Sequence, residues 1–554
     1  MSGLPIVVWP DDPSGQPDPR SIGGKQMRHT ILHFARACRV SLSTGMRGIA
    51  ASLSVRKFVT DFAADQRGNL AMIFALSLLP LTAAAGAAVD LNRAFIVQQR
   101  LERALDAAGL AVGASPAATT EQMLAVAQSF FDANYNDKEV GVPGKLLLTP
   151  GDSSVTLAAT AELPTTIMSV VGFDKLTVGS EITVVRETKA LEIAMVLDNT
   201  GSMAWNGKIG ALRTASEDLV SILFGDQDTP ELLRMSLVPF VTSVNIKAEG
   251  FDMNWMDVDG NSQYHGENFD PNRGPTNHFE LFNGIKNATW KGCVEMRPEP
   301  YDTLDTAPTK TNANTLFVPY FWPDEPDTED DSHNDYADDR ISGKKKKRQK
   351  NGAKYMGYNV SVDEIPSSTK GPNKSCARPL VPLTNSKATL VNEVRAMEPW
   401  YNSGTNIAEG LAWGWRVLSP GAPFTEGRSF TDPDVQKALI LLTDGNNEIV
   451  SQSTFNKSDY TSFGYIGKQR LGTNDIGTAR GKVDKKVEEM CTRIKDQGVR
   501  IYTITFQLNS PSLEDVFREC ATEPELYFDS PSNEQLREAF QAIAYDLSNL
   551  RLAK

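Results

Sequence analysis

The side chains in this sequence best suited to holding a ligand are oxygen donors gathered at the ends of apolar runs. Leu191-Glu192-Ile193-Ala194-Met195-Val196-Leu197 has the length and composition of a buried strand. It ends directly at Asp198-Asn199-Thr200-Gly201-Ser202-Met203, ahead of a helix starting near Gly207. A second apolar run, Ala438 to Thr443, ends at Asp444-Gly445, and Gly404-Thr405-Asn406-Ile407 precedes a helix through Leu411 and Trp415. In an open parallel sheet, ligands bind outside the carboxyl ends of the strands, so acidic and hydroxyl-rich loops there are well placed. Hydroxyls and carboxylates on separate loops suit a hard divalent cation, Mg²⁺ first and Mn²⁺ or Ca²⁺ as alternatives, because such ions take oxygen ligands and retain waters. The same residue types favour turns for local reasons, so one such loop alone carries little weight.

The elements that must position these loops alternate in type. Leu232 to Phe240 reads as a strand; Val483, Val487, Met490 and Ile494 mark a helix face closed by Gly498; Val499 to Phe506 reads as the next buried strand. Leu526 to Asp529 follows as a last strand. Ser532-Asn533-Glu534-Gln535 is a capping-box signal for a final helix with Leu536, Phe540, Ile543, Leu547 and Leu550 on one face. The pattern predicts an α/β domain with a doubly wound, mainly parallel sheet.

With three matching pieces in this order, the sequence resembles a von Willebrand factor A-type (vWA) domain. Asp198, Thr200 and Ser202 fit the D-x-[ST]-x-S signature of its metal-ion-dependent adhesion site. The resemblance implies a Rossmann-like vWA domain over 189–554. It further implies a metal site in which Ser202, Thr200 and Thr405 supply hydroxyl oxygens, while Asp198 and Asp444 contribute charge directly or through water. Such an ion keeps an open position for an acidic side chain of a protein partner. That is adhesion rather than catalysis, since no general base or activated nucleophile is implied. Threonine at 200, where serine is commonest, keeps the oxygen but adds a methyl group, which leaves the preferred metal open.

From Gly68 to Val89 there is no charged side chain. A helix of about 20 such residues rises roughly 30 Å, the thickness of the hydrocarbon core, so a transmembrane helix is expected over 67–90. The run exceeds a typical signal-peptide core, which favours an uncleaved anchor. Basic residues close to the span balance on its two sides. Arg20, Lys25, Arg28, Arg36, Arg39 and Arg47 tip the count, placing a disordered tail (1–66) in the cytoplasm and the C-terminal part outside. Past the span, Leu91, Ala94, Phe95, Leu101, Leu105, Ala108 and Val112 recur at helical steps. Val155-Thr156-Leu157 and Ile182-Thr183-Val184-Val185 then flank a Pro164-Thr165-Thr166 break, so 91–188 reads as a helix plus a small β module.

The stretch Arg67 to Val112 resembles the N-terminal region of TadE/TadG-like proteins of tight-adherence (Tad/Flp) pilus systems. Trp290-Lys291-Gly292-Cys293, Val381-Pro382-Leu383-Thr384 and Gly410 to Pro420 strengthen the likeness, which extends over about 65–554. It implies a single-pass protein of a bacterial inner membrane with a periplasmic vWA domain, taking part in pilus assembly or anchoring and binding protein partners of that machinery or of the envelope.

Composition narrows the alternatives. A net charge of -13 over 554 residues lacks the basic face that nucleic-acid binding needs. Four of the five cysteines, Cys293, Cys376, Cys491 and Cys520, lie beyond the span. They permit two disulfides in an oxidising compartment, Cys293 with Cys376 and Cys491 with Cys520; four buried free thiols are the other reading. None of the five histidines forms H-E-x-x-H, and no nucleophile elbow or P-loop is visible, so no enzyme is expected. A regulatory vWA subunit of an ATPase or chelatase-like complex, or a membrane-anchored hydrolase, are the competing functions. Between 243 and 387 lies an insertion with Trp255, Trp290 and Trp322, an acidic stretch (Asp324 to Asp339) and the basic run Lys344 to Lys350. Its aromatics and opposite charges suit protein contact, and the basic run suits a solvated surface.

Overall fold

The computed structural model describes residues 69–551 apart from 114, 116–119, 136–140, 152–153, 186–188, 327–333, 368–369 and 403. The tail expected over 1–66 lies outside these residues.

Helix α1 (Asn69–Gly113) is continuous over 45 residues. Its segment Ala71–Gly113 is long and apolar enough to cross a membrane, with a mean hydropathy of 2.0 in its most apolar window. The small polar groups are satisfied inside the helix: Ser77 Oγ donates to the Phe74 carbonyl and Thr82 Oγ1 to those of Leu78 and Leu79. Such bonds let a helix carry hydroxyls and Pro80 in apolar surroundings. Residues 69–96 form a compact unit with 162–177. There the buried Asp90 accepts hydrogen bonds from the backbone N–H groups of Thr166, Ile167 and Met168 at 2.9–3.0 Å. A carboxylate thus caps the start of a short 3₁₀ turn, whose first N–H groups have no partner of their own.

The second unit comprises 97–161 and 178–554. In its part of α1, Leu101, Leu105, Ala108 and Val112 are buried as their spacing predicts, whereas Leu91 and Phe95, nearer the apolar end, are exposed. Those two prolong the apolar surface of Met72 to Val89 instead of joining the packed face. Helix α2 (Thr120–Asn134) buries Met123, Ala127 and Phe131. A small sheet follows from β1 (Val142–Pro143), β2 (Leu147–Pro150), β3 (Ser154–Pro164) and β4 (Lys175–Val185), with β3 pairing the other three. Val155, Leu157, Ala159 and Ala161 are buried in strict alternation, as a strand covered on one face requires.

The large domain runs β5 (Ala190–Asp198), α3 (Lys208–Phe224), β6 (Leu233–Phe240), then the insertion with β7 (Val244–Asn245), α4 (His278–Gly284), β8 (Cys293–Val294) and α5 (Lys345–Gln349). It continues with β9 (Val381–Thr384), α6 (Lys387–Arg395), α7 (Ile407–Leu418), β10 (Val435–Thr443), α8 (Ile476–Asp496), β11 (Arg500–Phe506), α9 (Pro511–Cys520), β12 (Tyr527–Ser530) and α10 (Asn533–Arg551). The sheet order is β12-β11-β10-β5-β6-β9, parallel except for the edge strand β9, which runs antiparallel to β6. This is a doubly wound, mainly parallel α/β architecture, as the sequence pattern predicts.

β5 is buried at every position because both faces are covered. Ile193, Met195 and Leu197 belong to one hydrophobic cluster with Leu212 and Leu219 of α3 and Phe540 of α10, while Ala194 and Val196 belong to the cluster on the other face with Leu411 and Trp415 of α7 and Val487 of α8. The final helix carries the expected cap: Ser532 Oγ accepts from Gln535 N at 3.2 Å.

The insertion departs from its expected role. Trp255, Trp290 and Trp322 are buried and belong to hydrophobic clusters, so their aromatic area builds a core instead of a contact surface. The basic run is solvated as expected over Lys344 to Lys347, but Arg348 turns inward to pair with Asp339 at 2.7 Å. Both disulfides are present. Cys293–Cys376 ties the two halves of the insertion at a Cα separation of 5.7 Å, and Cys491–Cys520 ties α8 to α9 at 5.1 Å.

Candidate metal centre

β5 and β10 lie side by side and parallel, with Leu442 opposite Leu197, so Asp198 and Asp444 emerge at the same end of the sheet. β5 continues into α3 and β6 on one side while β10 and β11 lie on the other, which makes this gap the topological switch point where such folds take ligands.

Asp198 is fully buried. One carboxylate oxygen accepts from Thr200 N at 2.8 Å and the other from Thr443 Oγ1 at 2.7 Å. The first bond is an Asx-type turn, the local reason that Asp-x-Thr reverses the chain here. Thr200 Oγ1 lies 3.0 Å from Ser202 Oγ, which donates to Asp444 Oδ1 at 2.5 Å. Lys208, in the first turn of α3, donates to the other Asp444 oxygen at 2.8 Å. Four of the five expected residues are therefore joined in one hydrogen-bonded cluster. The fifth, Thr405, is held on the adjoining loop by paired backbone bonds to Glu448 (3.0 and 2.8 Å), four residues beyond Asp444. Gly404 precedes it at φ +70°, where an added Cβ would fall 2.6 Å from the Glu448 carbonyl, so only glycine fits. Asn406 then caps α7 by accepting from Glu409 N at 3.2 Å.

Two carboxylates and two hydroxyls within hydrogen-bonding reach form an oxygen-only donor set that suits a hard divalent ion. Burial, and then the neighbouring Asp444 charge, push the Asp198 carboxyl up to about 7. A cation between them would relieve that repulsion, so the residues fit the ion that the fold implies. Among the described residues there is no cluster of three or more His, Cys, Asp and Glu side chains able to hold a metal.

Three features here were not read from the sequence. Lys208 is buried on Asp444. Trp400 donates its N–H to the Asn199 carbonyl at 2.8 Å, and the 400–402 segment packs so tightly on Gly201 that a Cβ there would lie 3.1 Å from Tyr401 Cα. Trp205, three residues after Ser202, is 63% exposed and meets Tyr401 edge to face at 6.3 Å. An exposed tryptophan in a polar loop was the available signal for the last of these.

Residues 68–115 match the family model described as "Putative Flp pilus-assembly TadE/G-like". In this stretch the chain is similar to TadE/G-like proteins. The matched stretch coincides with the apolar helix α1, and the doubly wound α/β domain follows it in the same chain. Among solved structures, the vWF domain of the type V pili tip protein Mfa5 from Porphyromonas gingivalis is similar at 11% identity, covering 66% of this chain and 97% of that one, with a TM-score of 0.31. The pilus adhesin SpaC from Lactobacillus rhamnosus GG is similar at 13% identity over 73% of this chain and 34% of its own, with a TM-score of 0.29. Proximal thread matrix protein 1 from the mussel byssus, with a zinc-occupied MIDAS motif, is similar at 13% identity over 66% and 47%, with a TM-score of 0.26. No curated protein matches the chain.

Proposed function

We propose that the chain is a membrane-anchored component of a bacterial Tad/Flp pilus-assembly system, whose vWA domain lies in the periplasm and binds protein partners through a divalent cation, Mg²⁺ first. The observation that carries this reading is the cluster of Asp198, Thr200, Ser202 and Asp444 at the sheet's switch point, in a chain that also bears a TadE/G-like helix. Ser202, Thr200 and Thr405 would hold the ion directly, with Asp198 and Asp444 balancing its charge. An ion with few directly bound carboxylates stays electrophilic, and an acidic side chain from a partner is the ligand it would accept. Trp205 and Tyr401 beside the site offer that partner an exposed aromatic rim, a residue type enriched in interfaces. The chain's part toward its partner is to bind and hold.

Both disulfides support an oxidising compartment for the large domain, and with it a single-pass topology whose N-terminus is cytoplasmic. Affinity capture of envelope proteins on the detergent-extracted chain tests the proposal. Capture should require Mg²⁺ or Mn²⁺ and be lost in Asp198→Ala. Capture unaffected by chelation and by that substitution would refute the metal-dependent reading, and protection of the C-terminus from protease in spheroplasts would refute the periplasmic one.

A further inference from the structure

Asp324, Asp339 and Lys354 lie in the insertion, remote in sequence from the metal residues, and meet in a pocket closed to water. Both Asp324 and Lys354 have side chains with 0% exposure. Tyr355, Tyr336, Phe321 and Phe269 surround them, with Tyr355 at 5.2 Å from Phe321 and 6.0 Å from Phe269 between ring centres. Lys354 Nζ donates to Asp324 Oδ2, to the Asp324 backbone carbonyl at 3.3 Å and to Asp339 Oδ1 at 3.2 Å. Asp324 Oδ1 accepts from the backbone N–H groups of both Tyr336 and Ala337, each at 2.6 Å. Asp339 Oδ2 is held in turn by Arg348 at 2.7 Å.

We infer that Lys354 and Asp324 become joined by an intramolecular amide bond, formed with loss of one water. Each requirement of that condensation has a group in place. A lysine amine and a carboxyl group are held in hydrogen-bond contact in a buried site, where an ion pair is costly to keep and a neutral amide is not. Burial pushes the Asp324 carboxyl up to about 7. Burial also works against the Lys354 ammonium, but the Asp324 charge outweighs it and keeps the proton on until it is handed over. Attack by nitrogen needs a free lone pair, so transfer of a proton from Nζ to Asp324 Oδ2, along the hydrogen bond that joins them, must come first. The freed amine lone pair attacks Cγ, and the negative charge that develops on Oδ1 falls on the two N–H groups already aimed at it, the arrangement of an oxyanion hole. Asp339 Oδ1 takes the second proton from Nζ and returns it to Oδ2. The Cγ–Oδ2 bond breaks, water leaves, and the Nζ–Cγ bond remains. An ammonium and a carboxylate thus become an amide and a water, with no oxidant or other reactant. In the product the amide N–H donates to Asp339 and its carbonyl keeps both backbone donors.

The pair Lys437–Glu192 is a comparison within the same molecule. It is also buried, but the second acceptor of its lysine is the Leu418 carbonyl at 2.7 Å, which cannot carry a proton away. The cross-link is tested by peptide mapping of the full chain extracted from membranes, denatured and reduced. The expected result is a branched peptide joining the segments that carry Asp324 and Lys354, one water lighter than their sum, with no tryptic cleavage after Lys354 and ordinary cleavage after Lys437. Recovery of both segments as linear peptides from the folded wild-type chain would overturn the inference, and a cross-link at Lys437 would overturn the role given to Asp339. Asp339→Asn keeps the shape of the side chain but not its proton chemistry. It should unfold cooperatively like wild type and yield linear peptides; a cross-link in that variant would contradict the mechanism.

Discussion

Lys208 Nζ sits 2.8 Å from Asp444 Oδ2, across 236 positions of sequence, and so places an ammonium inside the cluster that is built to receive a cation. Asp444 divides its two oxygens between that lysine and Ser202. An incoming ion must share the carboxylate with a positive charge less than a helical turn away, and its affinity is set lower than the donor atoms alone would give.

Lys208→Met should therefore tighten Mn²⁺ binding by about tenfold, ~1.4 kcal/mol, as read by isothermal titration calorimetry. Unchanged or weaker binding would mean that the lysine chiefly positions Asp444.

Trp205 is exposed and meets Tyr401 edge to face, so Trp205→Ala should cost little stability, within about 0.5 kcal/mol. Capture of the protein partner should fall by at least tenfold, with cation affinity preserved. Full capture by this variant would remove the aromatic rim from the binding surface.

Burial pushes the Glu409 carboxyl up to about 7, despite Arg416 nearby and a hydrogen bond from Trp413 Nε1 at 2.8 Å. The folded state therefore holds this proton when the unfolded chain, with its ordinary value of 4.5, has lost it. Stability is unaffected by Glu409 below the unfolded value, falls as pH rises through the window between the two, and levels off above about 7. The loss is roughly 3 kcal/mol. Urea unfolding at pH 5 and pH 8 should show it, and Glu409→Gln should shrink the difference. An equal slope in the variant would assign the pH dependence elsewhere.

Cys491 and Cys520 close a loop across 29 positions between α8 and α9. Replacing both by serine should lower stability by about 2–4 kcal/mol in chemical unfolding, and wild type under reductant should lose a similar amount. No difference between oxidised and reduced wild type would count against the bond as a stabilising element.

The sheet was legible because β5 and β10 are unbroken apolar runs that end at polar loops, and burial on both faces demands that pattern. The edge strand β9 was not read as a strand, since Pro382 disfavours that reading and is admissible only at an edge. Asp198, Thr200, Ser202 and Asp444 were found as loops at strand ends, while Thr405 came from family resemblance, a lone threonine having no local signature. Lys208 was missed because a lysine in the first turn of a helix ordinarily reads as solvated. The insertion was misread for a related reason. Asp324 and Asp339 stand in an acidic stretch that looks exposed, but their partners Lys354 and Arg348 lie 9 to 30 residues away, and no short-range pattern marks them as buried pairs.

The most direct test is an anomalous difference map from crystals of the chain grown with Mn²⁺. One strong peak is predicted at the carboxyl end of β5 and β10, bonded to Ser202, Thr200 and Thr405 oxygens, with Asp198 and Asp444 alongside directly or through water. No peak there at saturating Mn²⁺, or a peak held by other residues, would contradict it.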